Sequence, residues 1–136
     1  MSWHMKNVVV GATQNWAKNV ILWNLASDKN QEPHTDRGGC YNCLGAVTIS
    51  GNSVERNVSY YIIGHISTFV KPIAKRIAST KSLTNVNTAF LNLSGEQVII
   101  IQNTSASQRR FRIKSGEKEM VIPLLAGSVA TVVINK

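Results

Sequence analysis

Carboxylates are scarce in this chain of 136 residues. Seven Asp and Glu stand against fifteen Lys and Arg, for a formal net charge of +8. No apolar run approaches the roughly 18 residues that a membrane-spanning helix needs. The first residues, Met1-Ser2-Trp3-His4-Met5-Lys6, contain no apolar h-region, so no signal peptide is visible there. A Gly-rich phosphate loop is absent, and so is the G-x-S-x-G turn of an α/β-hydrolase nucleophile. Two cysteines alone cannot complete a zinc site, which would need two more ligands.

What is present is an ordinary globular composition, 43% hydrophobic and 16% charged, which argues against disorder. The positive charge admits a nucleic-acid partner as one reading. The cations are spread out, however, at Lys71, Lys75, Arg76, Lys81, Arg109, Arg110, Arg112, Lys114 and Lys118. The densest group, Arg109 to Lys114, alternates with Phe111 and Ile113, as a strand with one wet face does. Aromatic residues do not interleave with these cations as a base-stacking platform requires. No nucleic-acid partner is expected.

Hydrophobic spacing divides the chain into two characters. Met5, Val8, Val9, Ala12 and Trp16 recur at helical spacing, although the β-branched run Val8-Val9-Val10 weakens a helix. Asn19 to Leu25 is a nearly continuous apolar run and predicts a strand buried on both faces, as in a parallel sheet. Ala26 to Leu44 is polar and loop-like, and a loop of that length usually carries function. A short strand, Ala46 to Ser50, a Gly51-Asn52 turn and a helix through Val58, Tyr61, Ile62, Ile66, Phe69 and Val70 follow, ended by Pro72. Beyond Pro72 come six short strand-like runs: Ile73 to Ala78, Val86 to Leu93, Gln97 to Gln102, Arg109 to Ile113, Glu119 to Leu124 and Ser128 to Ile134. Short strands separated by turn residues argue a β-sandwich.

Few residues suggest chemistry. A glycosidase needs two carboxyl groups about 5 to 9.5 Å apart across a sugar cleft. Asp28, Glu32 and Asp36 share the long loop, yet polar neighbours surround each and none has the apolar setting that raises a pKa. Glu55, Glu96, Glu117 and Glu119 read as solvated or structural. Cys40-Tyr41-Asn42-Cys43 forms a C-x-x-C pair with His34 six residues before it. A redox motif would sit at the start of a helix after a strand, whereas this pair precedes a strand. A local disulfide is the favoured reading and implies an oxidising compartment, with two ordinary thiols as the alternative. No metal or other cofactor is expected. His65 falls on the apolar side of its helix, where a packed histidine is the simpler reading. Trp23 ends the apolar run, either as a core residue or where a barrel strand presents substrate-facing side chains.

The run Asn15-Trp16-Ala17-Lys18-Asn19-Val20-Ile21-Leu22-Trp23-Asn24-Leu25-Ala26 resembles the last barrel strand of family 30 glycoside hydrolases, the glucosylceramidase-like enzymes. Pro33-His34 and then Gly38 to Ile49 are similar to the loop after it in bacterial members. Tyr60 to Pro72 resembles the family's final helix, and Arg76 to Ser79, Val86 to Asn92 and Leu125 to Thr131 extend the likeness into a β-module. Relatives often carry two glycines where this chain has Gln31-Glu32, and a glycine where it has Ile73.

The resemblance implies an α+β chain: the last strand/helix unit of a (β/α)₈ barrel over residues 1–72, followed by an antiparallel β-sandwich over residues 73–136. It implies a parent enzyme, secreted or periplasmic, that hydrolyses a β-glucoside with retention. The substrate would be a carbohydrate or glycolipid, with β-1,6-glucan a competitor to glucosylceramide. The family's acid/base and nucleophile lie on the fourth and seventh barrel strands, so no catalytic residue is expected in this chain. Trp23 corresponds to an aromatic wall of the substrate pocket, His34 lies on the loop lining the same mouth, and Asn24 points away. The family's side sandwich also borrows strands from the N-terminal end of the enzyme. Without these partners the exposed apolar faces predict self-association, and a non-catalytic carbohydrate-binding or structural module is the alternative reading.

Overall fold

The structure is a computed structural model describing residues 2–35, 37–38, 40–80 and 82–136; Met1, Asp36, Gly39 and Lys81 lie outside the described residues. The first helix, α1, comprises three consecutive segments: Ser2–His4, the π-helical Met5–Val10, and Gly11–Gln14. Then come β1 (Ala26–Ser27), β2 (Val47–Ser50), β3 (Ser53–Arg56) and a second helix, α2 (Val58–Ser67). Six strands complete the chain: β4 (Lys75–Ile77), β5 (Asn85–Leu91), β6 (Gln97–Asn103), β7 (Arg109–Ser115), β8 (Lys118–Leu124) and β9 (Val129–Ile134).

A four-stranded antiparallel sheet in the order β4-β5-β6-β9 organises the molecule. Its strands alternate, as a sheet buried on both faces must. On one face Phe90 and Ile100, flanked by Val86 and Val129, meet Met5, Val9 and Val10 of α1 and Ile62 of α2. On the other face Ile101 and Ala130 meet Phe111, Ile122 and Leu124 of the β7–β8 hairpin. Two helices, a sheet and a hairpin are thus stacked in three layers. Each fully buried aliphatic side chain in such a stack contributes about 1.5–3 kcal/mol.

Polar pins join the layers. Thr13 Oγ1 bonds the carbonyl of Val9 and approaches Thr88 Oγ1 at 3.2 Å, tying α1 to β5. The Asn103 amide donates to the carbonyls of Leu124 (3.0 Å) and Leu125 (3.1 Å), fixing β6 to the end of β8. Asn92 accepts from the Lys71 amide at 3.0 Å and donates to the Phe69 carbonyl at 3.0 Å, holding the chain that leaves α2. The hydroxyl of Thr131 on β9 donates to the His65 carbonyl at 3.1 Å, so its single proton is committed. His65 Nδ1, 2.9 Å from the same oxygen, must therefore be the protonated ring nitrogen. Burial lowers the His65 pKa, because it disfavours the charged ring.

Several sequence expectations are corrected. The helix expected over Met5 to Trp16 ends at Gln14, and its π segment holds the β-branched run, where side chains crowd the preceding turn. That wider winding buries Val10 fully and leaves Val8 half-buried. Trp16, placed on the apolar face by spacing, is 75% exposed at φ 69°, with the Arg76 guanidinium 4.1 Å from its ring centre.

The strand expected over Asn19 to Leu25 is also not formed. Only Ala26–Ser27 pairs, parallel to β2. Ile21, Trp23 and Leu25 are exposed while Val20, Leu22 and Asn24 are half-buried, so one face has a partner and the other has none. Of the last strand/helix unit of a barrel expected over residues 1–72, the one parallel pairing among the described residues is β1–β2. β3 had no hydrophobic signature because all four of its residues are exposed.

Ile73 occupies a left-handed backbone, φ 62°, with its side chain 74% exposed. Here a β-branched residue stands where the family resemblance expects glycine, and it gains little burial for the strain. Ile73→Gly should therefore raise unfolding stability by about 1 kcal/mol in urea titrations. A fall in stability would show that the Ile73 side chain contributes more than its backbone costs.

Candidate functional site

Residues 20–25 and the loop from Asp28 to Ala46 form one corner of the molecule. The loop leaves after β1 and returns into β2 beside it, so its ends are pinned together. Ala46 N donates to Asn24 O at 2.9 Å, and Val47 N to Leu25 O at 3.0 Å. Gly45 N donates to Ser27 Oγ at 3.0 Å. Asn57, just before α2, donates its side-chain amide to Gly45 O and to Thr48 Oγ1, both at 2.9 Å. Gly45 itself is buried so tightly that a Cβ would lie 2.7 Å from Asn24 Oδ1 and 2.8 Å from the backbone of Ala26 and Ser27. Only glycine lets the two chains approach this closely.

Trp23 projects from this junction, 76% exposed, with the Trp23–Asn24 peptide cis. Asn24 turns the other way, its Oδ1 buried against Gly45 without a hydrogen bond. Within the loop, Asp28 Oδ1 accepts from the amides of Asn30 and Glu32 at 2.8 Å, closing a turn in which Gln31 sits at φ 65°. This left-handed residue is the first of the pair where relatives carry glycines. The Glu32–Pro33 peptide is cis, and His34 follows, exposed. The His34 ring meets Tyr41 edge to face, centroids 5.2 Å apart at 67°. Cys40 and Cys43 are joined by a disulfide with their Cα atoms 5.4 Å apart, and Tyr41-Asn42 is the turn between them. No helix starts at this turn, so the arrangement is unlike a thioredoxin-type redox site.

His34 is thus brought to Tyr41 and the bridge, whereas Trp23 stands at the loop's base. Tyr41, Gly45 and Asn57 were not singled out by their sequence. A glycine before a strand and an asparagine before a helix are too common to mark a packed junction. Among the described residues no group of three or more His, Cys, Asp and Glu could hold a metal ion.

Among the described carboxylates, Asp28 is used by its turn and Glu119 lies 3.3 Å from Arg112; Asp36 is outside the described residues. Hydrogen bonds from Ser94, and then from Asn92, hold the Glu96 carboxyl below its usual range, opposite to what a general acid needs. A cavity of about 320 Å³ lies elsewhere, between the four-stranded sheet (Asn87, Ala89, Ile99) and β7 (Phe111, Ile113, Ser115).

Comparison with known proteins follows this anatomy. Residues 74–135 match the model of the glycosyl hydrolase family 30 beta sandwich domain. The chain belongs to glycosyl hydrolase family 30. Its β-sandwich, mostly antiparallel with few helices, is the family's C-terminal domain. The chain is 32% identical to the endo-1,6-beta-D-glucanase neg1 of Aspergillus fumigatus over 126 residues, 86% of this chain and 26% of that protein. It is 33% identical to the endo-1,6-beta-D-glucanase BGN16.3 of Trichoderma harzianum over 101 residues, 70% of this chain and 21% of the other. The solved endo-beta1,6-glucanase BT3312 superposes on 99% of the chain with a TM-score of 0.89 and 32% identity, using 31% of its own length. SrfJ from Salmonella typhimurium superposes on 98% with a TM-score of 0.88 and 25% identity, using 30% of its length. The chain therefore spans about a quarter of its curated family 30 relatives, 26% of the Aspergillus protein.

Gly45 offers a test of the corner. Gly45→Ala must displace Asn24 or the Ala26–Ser27 backbone, and overpacking of this kind costs about 1–3 kcal/mol. Amide NMR shifts should change at residues 23–27 and 45–48 while those of β5–β6 stay fixed. Unchanged shifts at the corner would show that it is loose enough to absorb a methyl group.

Proposed function

We propose that this chain is part of a retaining β-glucan hydrolase acting on β-1,6-linked glucan, to which it contributes one wall of the sugar cleft, centred on Trp23. The observation that carries this reading is the superposition on the endo-beta1,6-glucanase BT3312, which extends over 99% of the chain and so includes the Trp23 corner as well as the sandwich. The names of the two fungal relatives favour β-1,6-glucan over glucosylceramide as substrate. In this reading residues 1–72 form the C-terminal end of the (β/α)₈ barrel, and residues 73–136 are the sandwich at its side.

The division of labour follows from chemistry. Retention needs two carboxyl groups about 5–5.5 Å apart, one to protonate the leaving oxygen and one to attack the anomeric carbon. Asp28 is engaged by its own turn and Glu119 by Arg112, which supports assigning both catalytic carboxyl groups to the barrel portion of the enzyme. Trp23 offers a broad apolar face, complementary to the axial C–H groups on one side of a β-glucopyranose ring. His34, on the loop, is positioned to supply a polar contact at the cleft mouth. The cavity beside β7 is the place for strands that the sandwich takes from the rest of the enzyme. The Cys40–Cys43 bond fits a secreted or periplasmic setting.

Two measurements test this reading. In affinity gels the chain should be retarded by β-1,6-glucan more than by β-1,3-glucan, and Trp23→Ala should abolish the difference; equal retardation would overturn the linkage assignment. The purified chain should release no reducing sugar from either polymer, and turnover would return the catalytic carboxylates to it. Separately, the exposed Ile21, Trp23 and Leu25 face should drive self-association of the isolated chain. Light scattering should then give a mass above 14.9 kDa that rises with concentration, and a monomer at every concentration would refute it.

A further inference from the structure

We propose that Tyr41 is a second sugar-stacking platform, set a few glucosyl units from Trp23 along the same cleft wall. The proposal rests on the glucanase reading above and names a specificity-determining residue within it. Three observations combine. Tyr41 is 51% exposed although it is a large aromatic residue on a long polar loop. Its backbone is the turn of a disulfide-closed ring, with the Cys40 and Cys43 Cα atoms 5.4 Å apart. The His34 ring meets it in a T-shaped contact, centroids 5.2 Å apart at 67°. An exposed side chain held from both backbone sides and by a ring contact loses little freedom when a ligand arrives.

Position supports the same conclusion. Gly45 is locked against Asn24, the residue after Trp23. Tyr41 is four residues before Gly45, so its Cα lies at most about 14 Å from that anchor even in an extended chain. A short oligosaccharide bridges such a span. A β-1,6 linkage also has one more rotatable bond than linkages between ring carbons, so successive glucosyl rings need not share a plane. Platforms on separate supports, one on the strand end and one on a stapled loop, suit a chain that bends in this way. A single flat surface would suit a straight β-1,4 chain instead.

The experiment measures affinity of this chain for β-1,6-linked gluco-oligosaccharides of two and six units by titration calorimetry. Wild type should bind the hexasaccharide about three- to tenfold more tightly than the disaccharide, the effect of one added aromatic contact. Tyr41→Ala should bring that ratio close to one, and Tyr41→Phe should restore it, because the ring rather than the hydroxyl stacks. Reduction of the Cys40–Cys43 bond should lower the ratio with the sequence unchanged. A ratio unchanged in Tyr41→Ala, with Trp23→Ala still weakening both ligands, would overturn the proposal and leave the glucanase reading intact. Absence of binding to either ligand by wild type would overturn both.

Discussion

Strand β6 is the constraint on which the rest depends. It is hydrogen-bonded to β5 along one edge and to β9 along the other, over its whole length against β5. Its two faces feed two separate apolar clusters, Ile100 toward the helices and Ile101 toward the hairpin. A slip of one residue would exchange these faces and empty both clusters at once, so the register is strongly specified. Asn103 adds a directional lock at the end of the strand, where its amide satisfies carbonyls of the neighbouring layer. The helices, the hairpin and the Trp23 corner are all placed relative to this one strand.

The corner itself is attached more lightly. α2 couples it to the sheet through the reciprocal His65–Thr131 pair and through Ile62, while Asn57 at the start of α2 reaches back to Gly45 and Thr48. One helix thus carries the geometry of the sandwich to the junction beneath Trp23. A two-residue parallel ladder between β1 and β2 holds the corner.

The β-module was legible in the sequence because its physics is local: turn glycines and alternating faces mark the strands, and all six expected strands from β4 to β9 lie within a few residues of their observed limits. The family was legible because long motifs such as Trp23-Asn24-Leu25-Ala26 and Tyr60 to Pro72 fall in order. What failed was whatever depends on partners. Asn19 to Leu25 has the composition of a strand buried on both sides, but sequence composition cannot state whether the neighbours are in the same chain. Gly45, Asn57 and the His34–Tyr41 contact were illegible for a related reason: each acts through a long-range contact, and its residue type is ordinary. Ile73 and Gln31 show the reverse, since two of the three positions where the resemblance expects glycine have a left-handed backbone.

The asparagine pins have a consequence for how the protein can be made. Asn57, Asn92 and Asn103 each begin an Asn-x-Ser triplet, the acceptor pattern for N-linked glycans. In the folded chain all three amide nitrogens are already donors: Asn57 to Gly45 and Thr48, Asn92 to Phe69, Asn103 to Leu124 and Leu125. A glycan is attached through that same nitrogen, before or during folding, and would replace one of its two N–H hydrogens while wedging a sugar between layers. A host whose secretory pathway performs this modification would therefore mark the chain at its joints, whereas a host lacking the transferase leaves them free to close.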